Sequence, residues 1–306
     1  MIPLLFFITA FVFILGQYGA TDLAMELVLR LNEGDFDKEL YDSLREQLDL
    51  DKPVYEQFYN FIINAFQGDF GRSYILPGTP EISDILFSSL GISVKLGLAA
   101  LLIIVLVAVP LGILAAYYRG KLFDYLIVST TSTLSSIPPF ALAPIFLVLL
   151  VSYSGLIGKT GFGWHGFFSK EIILPAITLA AGPMIIVVRI MRSSMIEVLS
   201  EDYITAAKAR GISTLLIVYR HVLKNSITPV VTVLGLIAGH LLSGSIFIET
   251  VFGINGFGYV AVTAFQGGDV KTVAATTLVS AILIMVMNLF VDLIYGILDP
   301  RVRIEK

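Results

Sequence analysis

Five stretches of this chain run long distances with almost no charge. Ile92–Ala116 carries only Lys95. Tyr125–Ser152, Ile172–Val188, Ser226–Ile248 and Thr272–Val291 carry none, and after Asp292 the last run resumes to Leu298. A hydrocarbon layer about 30 Å thick is crossed by about 20 apolar helical residues. Inside it every backbone N–H and C=O must be satisfied by the segment itself or by its partners. Continuous apolar runs of this length therefore predict membrane helices. Composition agrees: 14% of the 306 residues are charged, against roughly 25% in soluble domains. The net charge of −4 argues against a nucleic-acid partner. The chain has no cysteine, which excludes disulfides and thiolate sites. His165, His221 and His240 are too scattered to suggest a metal centre.

A sixth run, Ile2–Gly16, is short for a span. No basic residue precedes Arg30 and no A-x-A site follows, so the run reads as a first span that has lost its N-terminal flank rather than as a signal peptide. Orientation follows from lysine and arginine near the span ends. Arg119 and Lys121 lie in one connecting segment. Arg189, Arg192, Lys208, Arg210, Arg220 and Lys224 lie in a second. Arg301, Arg303 and Lys306 form the tail. These segments alternate with the others, hold 11 of the 20 basic residues, and are expected to share the cytoplasmic side. The expected fold is all-α: six transmembrane helices with both termini cytoplasmic. The first helix covers residues 1–17, an extracytoplasmic segment 18–91, and a five-helix core 92–298 with a cytoplasmic loop at 193–225; residues 299–306 form the tail.

The outer segment Gln17–Leu90 holds 14 acidic and 5 basic residues. Leu40, Leu44 and Leu48 have helical spacing. Phe58, Phe61, Ile62, Ala65 and Phe66 fall on one face of a second helix, suited to an interface or to packing on the outer ends of the spans. Pro110, Pro138, Pro139, Pro144, Pro183 and Pro229 interrupt or border the apolar runs. Gly235, Gly239 and Ser243 recur every fourth residue, with Gly244 beside them. That spacing allows another helix to approach closely, in the same chain or in a partner. Polar residues in spans point to function or to internal pairing. His240 sits mid-span, and Asp292 lies near the inner end. Glu249 ends the fifth run on the outer side, before the glycine-rich stretch from Phe252 through Asn255 to Gly258. That stretch reads equally as part of a gate or as a tight re-entrant turn. Lys95 snorkels outward. These features make His240, Glu249, Phe252 and Asn255 the candidates for a path or gate.

Catalysis finds no support. Gly158-Lys159-Thr160 resembles the end of a phosphate loop, but position 153, where the motif needs glycine, is Tyr153. No H-E-x-x-H or G-x-S-x-G is present. The loop after Arg189 is more informative. Ser200 is placed to cap a helix whose first turn holds Glu201 and Asp202. Lys208 and Arg210 fall in its last turn, where cations suit the helix dipole. Gly211 supplies a left-handed stop. This predicts a short helix from Glu201 to Arg210, and small Ala206, Ala207 and Ala209 leave its backbone accessible to another protein.

The text DYITAAKARG, followed by YRHVLKNSITPVV, resembles the signature loop of permease subunits from ATP-binding-cassette importers: E-A-A, three residues, G, nine residues, I-x-L-P. Ala206, Ala207, Gly211 and Leu223 match. Thr205, His221 and Lys224 stand where Glu, Ile and Pro are usual, departures that resemble the peptide-importer branch. LDLDKPVYEQFYNF, GDFGRSY, VPLGILAAYYRGKLFD, SSIPPF, IETVFGINGFG and VDLIYGILDPRVR extend the resemblance over nearly the whole chain, to dipeptide, oligopeptide and nickel-type permeases. The family begins with a basic stretch before I-P, so the start at Met1 looks trimmed. The resemblance implies a type I importer permease fold in the cytoplasmic membrane. It implies a second permease, usually a different chain, two ATPase subunits that carry the ATP and magnesium, and an extracytoplasmic binding protein. This chain itself would hold no cofactor. The helix bearing Glu201, Asp202, Tyr203, Ala206, Ala207, Lys208, Ala209 and Gly211 would seat in an ATPase cleft. The expected substrate is a peptide; nickel, glutathione and sugar importers are the alternatives within the family, and an ATP-independent secondary transporter is the alternative outside it.

Overall fold

The computed structural model describes residues 2–19, 22–76, 78–149, 166–242 and 244–298. Nearly all of these are helical, and among them the only extended pairing is an isolated bridge between Arg72 and Glu81. In chain order the helices are α1 (Ile2–Gly19), α2 (Leu23–Leu31), α3 (Lys38–Gln47), α4 (Val54–Phe66), α5 (Ile82–Ile103), α6 (Val109–Tyr117), α7 (Leu122–Ser136), α8 (Pro139–Phe146), α9 (Ile173–Leu199), α10 (Asp202–Ala209), α11 (Thr214–Ile217), α12 (Leu223–Leu242), α13 (Ile246–Phe252), α14 (Phe257–Gln266) and α15 (Val270–Leu298). π turns join α5 to α6 over Ile104–Ala108 and α11 to α12 over Val218–Val222. Gly158 to Thr160, His165, Ser243, the side chain of Asp292 and the basic tail lie outside the described residues.

Among the described residues four helices are long and apolar enough to cross a bilayer: Ile82–Tyr117, Lys170–Leu199, Thr214–Leu242 and Val270–Phe290. Three bent pairs also qualify as broken spans or re-entrant loops: α1 with α2, α7 with α8, and α13 with α14. The six spans read from the sequence lie within the resulting range of four to seven.

The chain divides into two compact units. The first comprises Met1–Ser93, Ser243–Thr250 and Ile254–Met285. Its core holds Phe13, Phe61, Ile82, Leu86, Phe257, Ala274 and Ala275. The aromatic stripe of α4 packs on α1: the Phe58 and Phe61 rings lie 5.4 and 5.7 Å from that of Phe13. Phe66, the last residue of α4 and expected on that stripe, is 88% exposed. Three acids of this unit serve helix ends. Asp22 accepts from the N–H groups of Ala24 and Met25 and caps α2, and Asp37 caps α3 in the same way. Asp269 accepts from the N–H and hydroxyl of Thr272, and from Ser73 Oγ at 2.6 Å. Each such cap contributes about 1 kcal/mol. Asp51 and then Tyr41, both hydrogen-bonded to Arg45, push its guanidinium further toward the charged form.

The second unit comprises Val94–Leu242, Val251–Gly253 and Val286–Lys306. Helix α9 is its axis, touching α6, α7, α8, α10 and α12. Small residues set these approaches. A Cβ on Gly112 would lie 2.6 Å from Met191 Cβ and 2.9 Å from the Val188 carbonyl oxygen. One on Gly97 would lie 2.5 Å from the Leu241 carbonyl oxygen and 3.1 Å from Leu242 N. Both neighbours of Gly97 are backbone, so no side chain can yield. Gly97→Ala is therefore expected to force α5 from α12 and to destabilise the protein by about 1–3 kcal/mol. The check is a melting curve of the solubilised complex beside Gly91→Ala, where a Cβ meets nothing within 4 Å. Gly239, from the every-fourth-residue series, packs within the chain: its Cβ would lie 3.3 Å from Met287 Cβ.

Prolines border two of the irregularities. Pro110 has no N–H to donate into the preceding turn, and the π turn Ile104–Ala108 lies immediately before it. Ile137 is extended at φ −89°, ψ 122°, as a residue before proline prefers. Pro138 then caps α8, which starts at Pro139, and the axis turns by 107°. The apolar run Ser226–Ile248 is not one helix. Helix α12 ends at Leu242, Gly244 takes φ +90°, and α13 begins at Ile246. Glu249 is thus interior to α13 rather than at the end of a span. Helix α9 continues past the predicted boundary at Val188 to Leu199, because Arg189 and Arg192 have partners described below.

Candidate functional site

The predicted loop helix forms as α10, one residue shorter at each end than expected. Its C-terminus is a complete Schellman motif. Gly211 N–H donates to the Lys208 carbonyl at 2.9 Å and Ile212 N–H to the Ala207 carbonyl at 3.3 Å. Gly211 has φ +77°, and open space surrounds its missing Cβ, so its role is conformational. Asp202 lies in the first turn and Lys208 in the last, the order that the helix dipole favours. The N-cap assignment needs correction. Ser200 closes α9 instead, donating through Oγ to the Glu197 carbonyl at 2.6 Å, and Glu201 is the extended cap residue of α10 without a side-chain bond.

Ile204 is fully buried and anchors α10. Tyr203 Oη accepts a 2.8 Å hydrogen bond from Asn225 Nδ2, which fixes α10 against the start of α12. The other face is bare. Glu201, Asp202, Thr205, Ala206, Lys208, Ala209 and Gly211 are exposed and Ala207 half-buried. Just beyond, Leu215 and Tyr219 are 73% and 76% exposed, with Leu216 exposed beside them. This segment also carries Arg210, Arg220 and Lys224. The exposed Leu215, Leu216 and Tyr219 sit at the start of the candidate span Thr214–Leu242, next to α10. The sequence reading missed Leu215 and Tyr219, although their alternation with buried Ile217 and Val222 was available as a signal.

Two features behind this surface were also missed. Arg192 on α9 grips Asp124 on α7 with a fork: Nε meets Oδ1 and Nη2 meets Oδ2, both at 2.7 Å. Asp124 is buried and takes a third bond from Gly120 N–H at 2.9 Å. One turn earlier, Arg189 Nη2 donates to Ser132 Oγ at 2.6 Å. Asp124 was legible as the single acid beside Arg119 and Lys121, but its partner lies 68 residues away in the chain.

The candidate gate residues have distinct settings. Glu249 is fully buried. Its carboxylate accepts from Ser93 Oγ at 2.6 Å, Tyr259 N–H at 3.0 Å and Ser245 N–H at 3.2 Å. Every one of these partners donates, as an acceptor-only carboxylate requires. Ser93 Oγ in turn accepts from Phe257 N–H at 2.7 Å. Gly244, Gly256 and Gly258 close around the carboxyl, and a Cβ on Gly256 would lie 2.6 Å from Oε2. The glycine-rich stretch is thus a bend of 86° between α13 and α14, held on an internal carboxylate. Asn255, in the same unit, is exposed. In the other unit, Phe252 is fully buried and His240 exposed. Among the described residues no group of histidines and acids is arranged to hold a metal.

Residues 108–304, which include α10, match the family of binding-protein-dependent transport system inner membrane components. The chain belongs to that family. Its relatives include the dipeptide transport system permease protein DppB of Escherichia coli K12, 34% identical with 92% of this chain and 90% of the relative covered. The oligopeptide transport system permease protein OppB of Haemophilus influenzae is 32% identical, covering 89% and 88%. The glutathione transport system permease protein GsiC of Escherichia coli K12 is 33% identical, covering 99% and 96%. A chain of the MetNI methionine ABC transporter, solved in inward-facing conformations, aligns with TM-score 0.56 at 18% identity over 70% of this chain and 96% of its own length. That likeness carries the fold, and the fold is the importer permease fold expected from the sequence. This inner membrane component is accordingly a multi-pass membrane protein of a transport system, and the resemblance drawn from the loop text is correct.

Proposed function

We propose that the chain is the permease subunit of an ATP-driven importer of peptides, seated in the cytoplasmic membrane with both termini inside. The observation that carries this reading is α10. It is a capped, anchored helix with a small, exposed face, and it coincides with the signature text of a family whose relatives handle dipeptides, oligopeptides and glutathione. In this reading α10 seats in a cleft of an ATPase subunit, with Leu215 and Tyr219 at the rim of the contact. A second, related permease completes the path, and a binding protein delivers substrate from outside. ATP and magnesium reside on the ATPase pair. Closure of that pair displaces α10, and the spans alternate between inward and outward access. Ile204, Tyr203 and Gly211 keep α10 rigid enough to be pushed rather than melted. Lipid covers the exposed apolar faces of the spans.

The test is purification of the intact complex with identification of its subunits, followed by reconstitution in vesicles. Uptake of labelled di-, tri- and pentapeptides, reduced glutathione and Ni²⁺ is measured with and without ATP. ATP-dependent peptide uptake that needs the binding protein is the expected result. Uptake of Ni²⁺ alone would replace the peptide assignment. Uptake by the isolated chain without ATP would overturn the importer reading.

A further inference from the structure

We propose that Asp124 and Arg192 are positioning residues for transport: their fork makes α7 travel with α9, so that displacement of α10 reaches the break between α7 and α8. The inference rests on the reading of α10 as the ATPase-docking helix. Helix α9 ends at Leu199 and α10 starts at Asp202, so only Ser200 and Glu201 lie between them. At the far end of α7 the axis turns by 107° at Ile137 and Pro138. A push on α10 therefore enters α9 directly, whereas α7 receives it only through side chains.

Packing alone permits one helix to slide along another, because ridges can shift between grooves. A two-point fork onto a buried carboxylate opposes sliding, separation and rotation together, since both bonds run parallel in one plane. Gly120 N–H fixes the same carboxylate from the turn before α7, so Asp124 cannot swing to follow Arg192. The bond from Arg189 to Ser132 adds a second tie between the same helices. Buried ion pairs contribute little net stability over apolar packing, and their better-attested use is to fix one register.

The chain has no cysteine, so Leu126→Cys on α7 and Ser193→Cys on α9 can be spin-labelled without background; both positions are exposed. The distance is measured in the full complex, built with cysteine-free partners, in nucleotide-free and ATP-vanadate-trapped states. With the fork intact the distance is expected to be the same in both states. With Asp124→Asn, or Arg192→Lys, which keeps the charge but loses the fork, trapping is expected to shift it by about 2 Å, the scale of a helix slide. Tripeptide uptake per ATP hydrolysed is expected to fall about tenfold, with Asp124→Glu intermediate. The inference is overturned if both variants keep a nucleotide-independent distance, or if uptake and hydrolysis decline together in proportion to assembled complex. Ala207→Glu, assayed in parallel for ATPase co-purification, separates the two ideas. Retained ATPase binding there refutes the docking reading, while the distance measurement judges the fork.

Discussion

Replacing Glu249 with leucine is expected to lower the melting temperature of the solubilised complex by about 10 °C. Leucine removes both acceptor oxygens without opening a cavity, and its branched end adds crowding against Gly256 and Gly258 to the loss of the acceptor. Three donors lose their partner: the Ser93 hydroxyl and the N–H groups of Ser245 and Tyr259. Each unsatisfied buried donor costs about 1–3 kcal/mol, so the three together cost at least about 3 kcal/mol. At roughly 2–4 °C per kcal/mol for a chain of this size, that gives the stated shift. Glu249→Gln keeps one acceptor but turns an NH2 group toward converging N–H donors, and about half the loss is expected. Size-exclusion melting curves read both. A shift below about 2 °C for the leucine variant would show that the carboxylate does not hold the bend between α13 and α14.

Ala207→Glu is expected to abolish co-purification of the ATPase and to reduce ATP-dependent peptide uptake about a hundredfold, while the chain still inserts in the membrane. Ala207 is half-buried on α10. A glutamate there adds bulk to the docking face and places a negative charge near the helix C-terminus. The dipole penalty is only about 0.3–1 kcal/mol, too small to unfold the protein. Loss of a central contact costs about 2–4 kcal/mol, which is the source of the hundredfold figure. Gly211→Pro acts by another route to the same result. Proline fixes φ near −65° where Gly211 needs +77°, so the Schellman turn cannot close. Wild-type assembly and uptake in both variants would remove α10 as the docking element.

The long apolar runs fixed the class of fold because a bilayer admits few alternatives. Helix ends were legible where one residue decides them, as at Gly211. They were misplaced where a distant group decides them. Nothing near Ser200 in the chain says that its hydroxyl turns back to the Glu197 carbonyl. The extension of α9 past Arg189 depends on Ser132 and Asp124, which periodicity does not reveal. Helix α2 was passed over because a nine-residue helix inside an acidic segment has no long apolar signature, although Asp22 is a clear cap. Glu249 drew notice as a polar residue near a glycine-rich stretch. Its partner Ser93 lies 156 residues away, and that separation hid the internal hydrogen bonds of the carboxyl.

The π turn between α5 and α6 also solves a problem of pitch. Leu96, Ala100, Ile104, Ala108 and Gly112 recur every fourth residue and are all buried. In a regular α-helix, four residues advance about 400°, so such a row winds about 40° around the axis at each step and soon leaves the contact face. The wider turn over Ile104–Ala108 takes up one additional residue and brings the row back. The buried seam can then run nearly parallel to the helix axis without supercoiling. Winding the same residues as a regular α-helix would rotate everything after the turn by about 100°, carrying Gly112 away from Met191. The irregularity works as a phase correction, holding one more residue than regular winding allows while Gly112 stays against Met191.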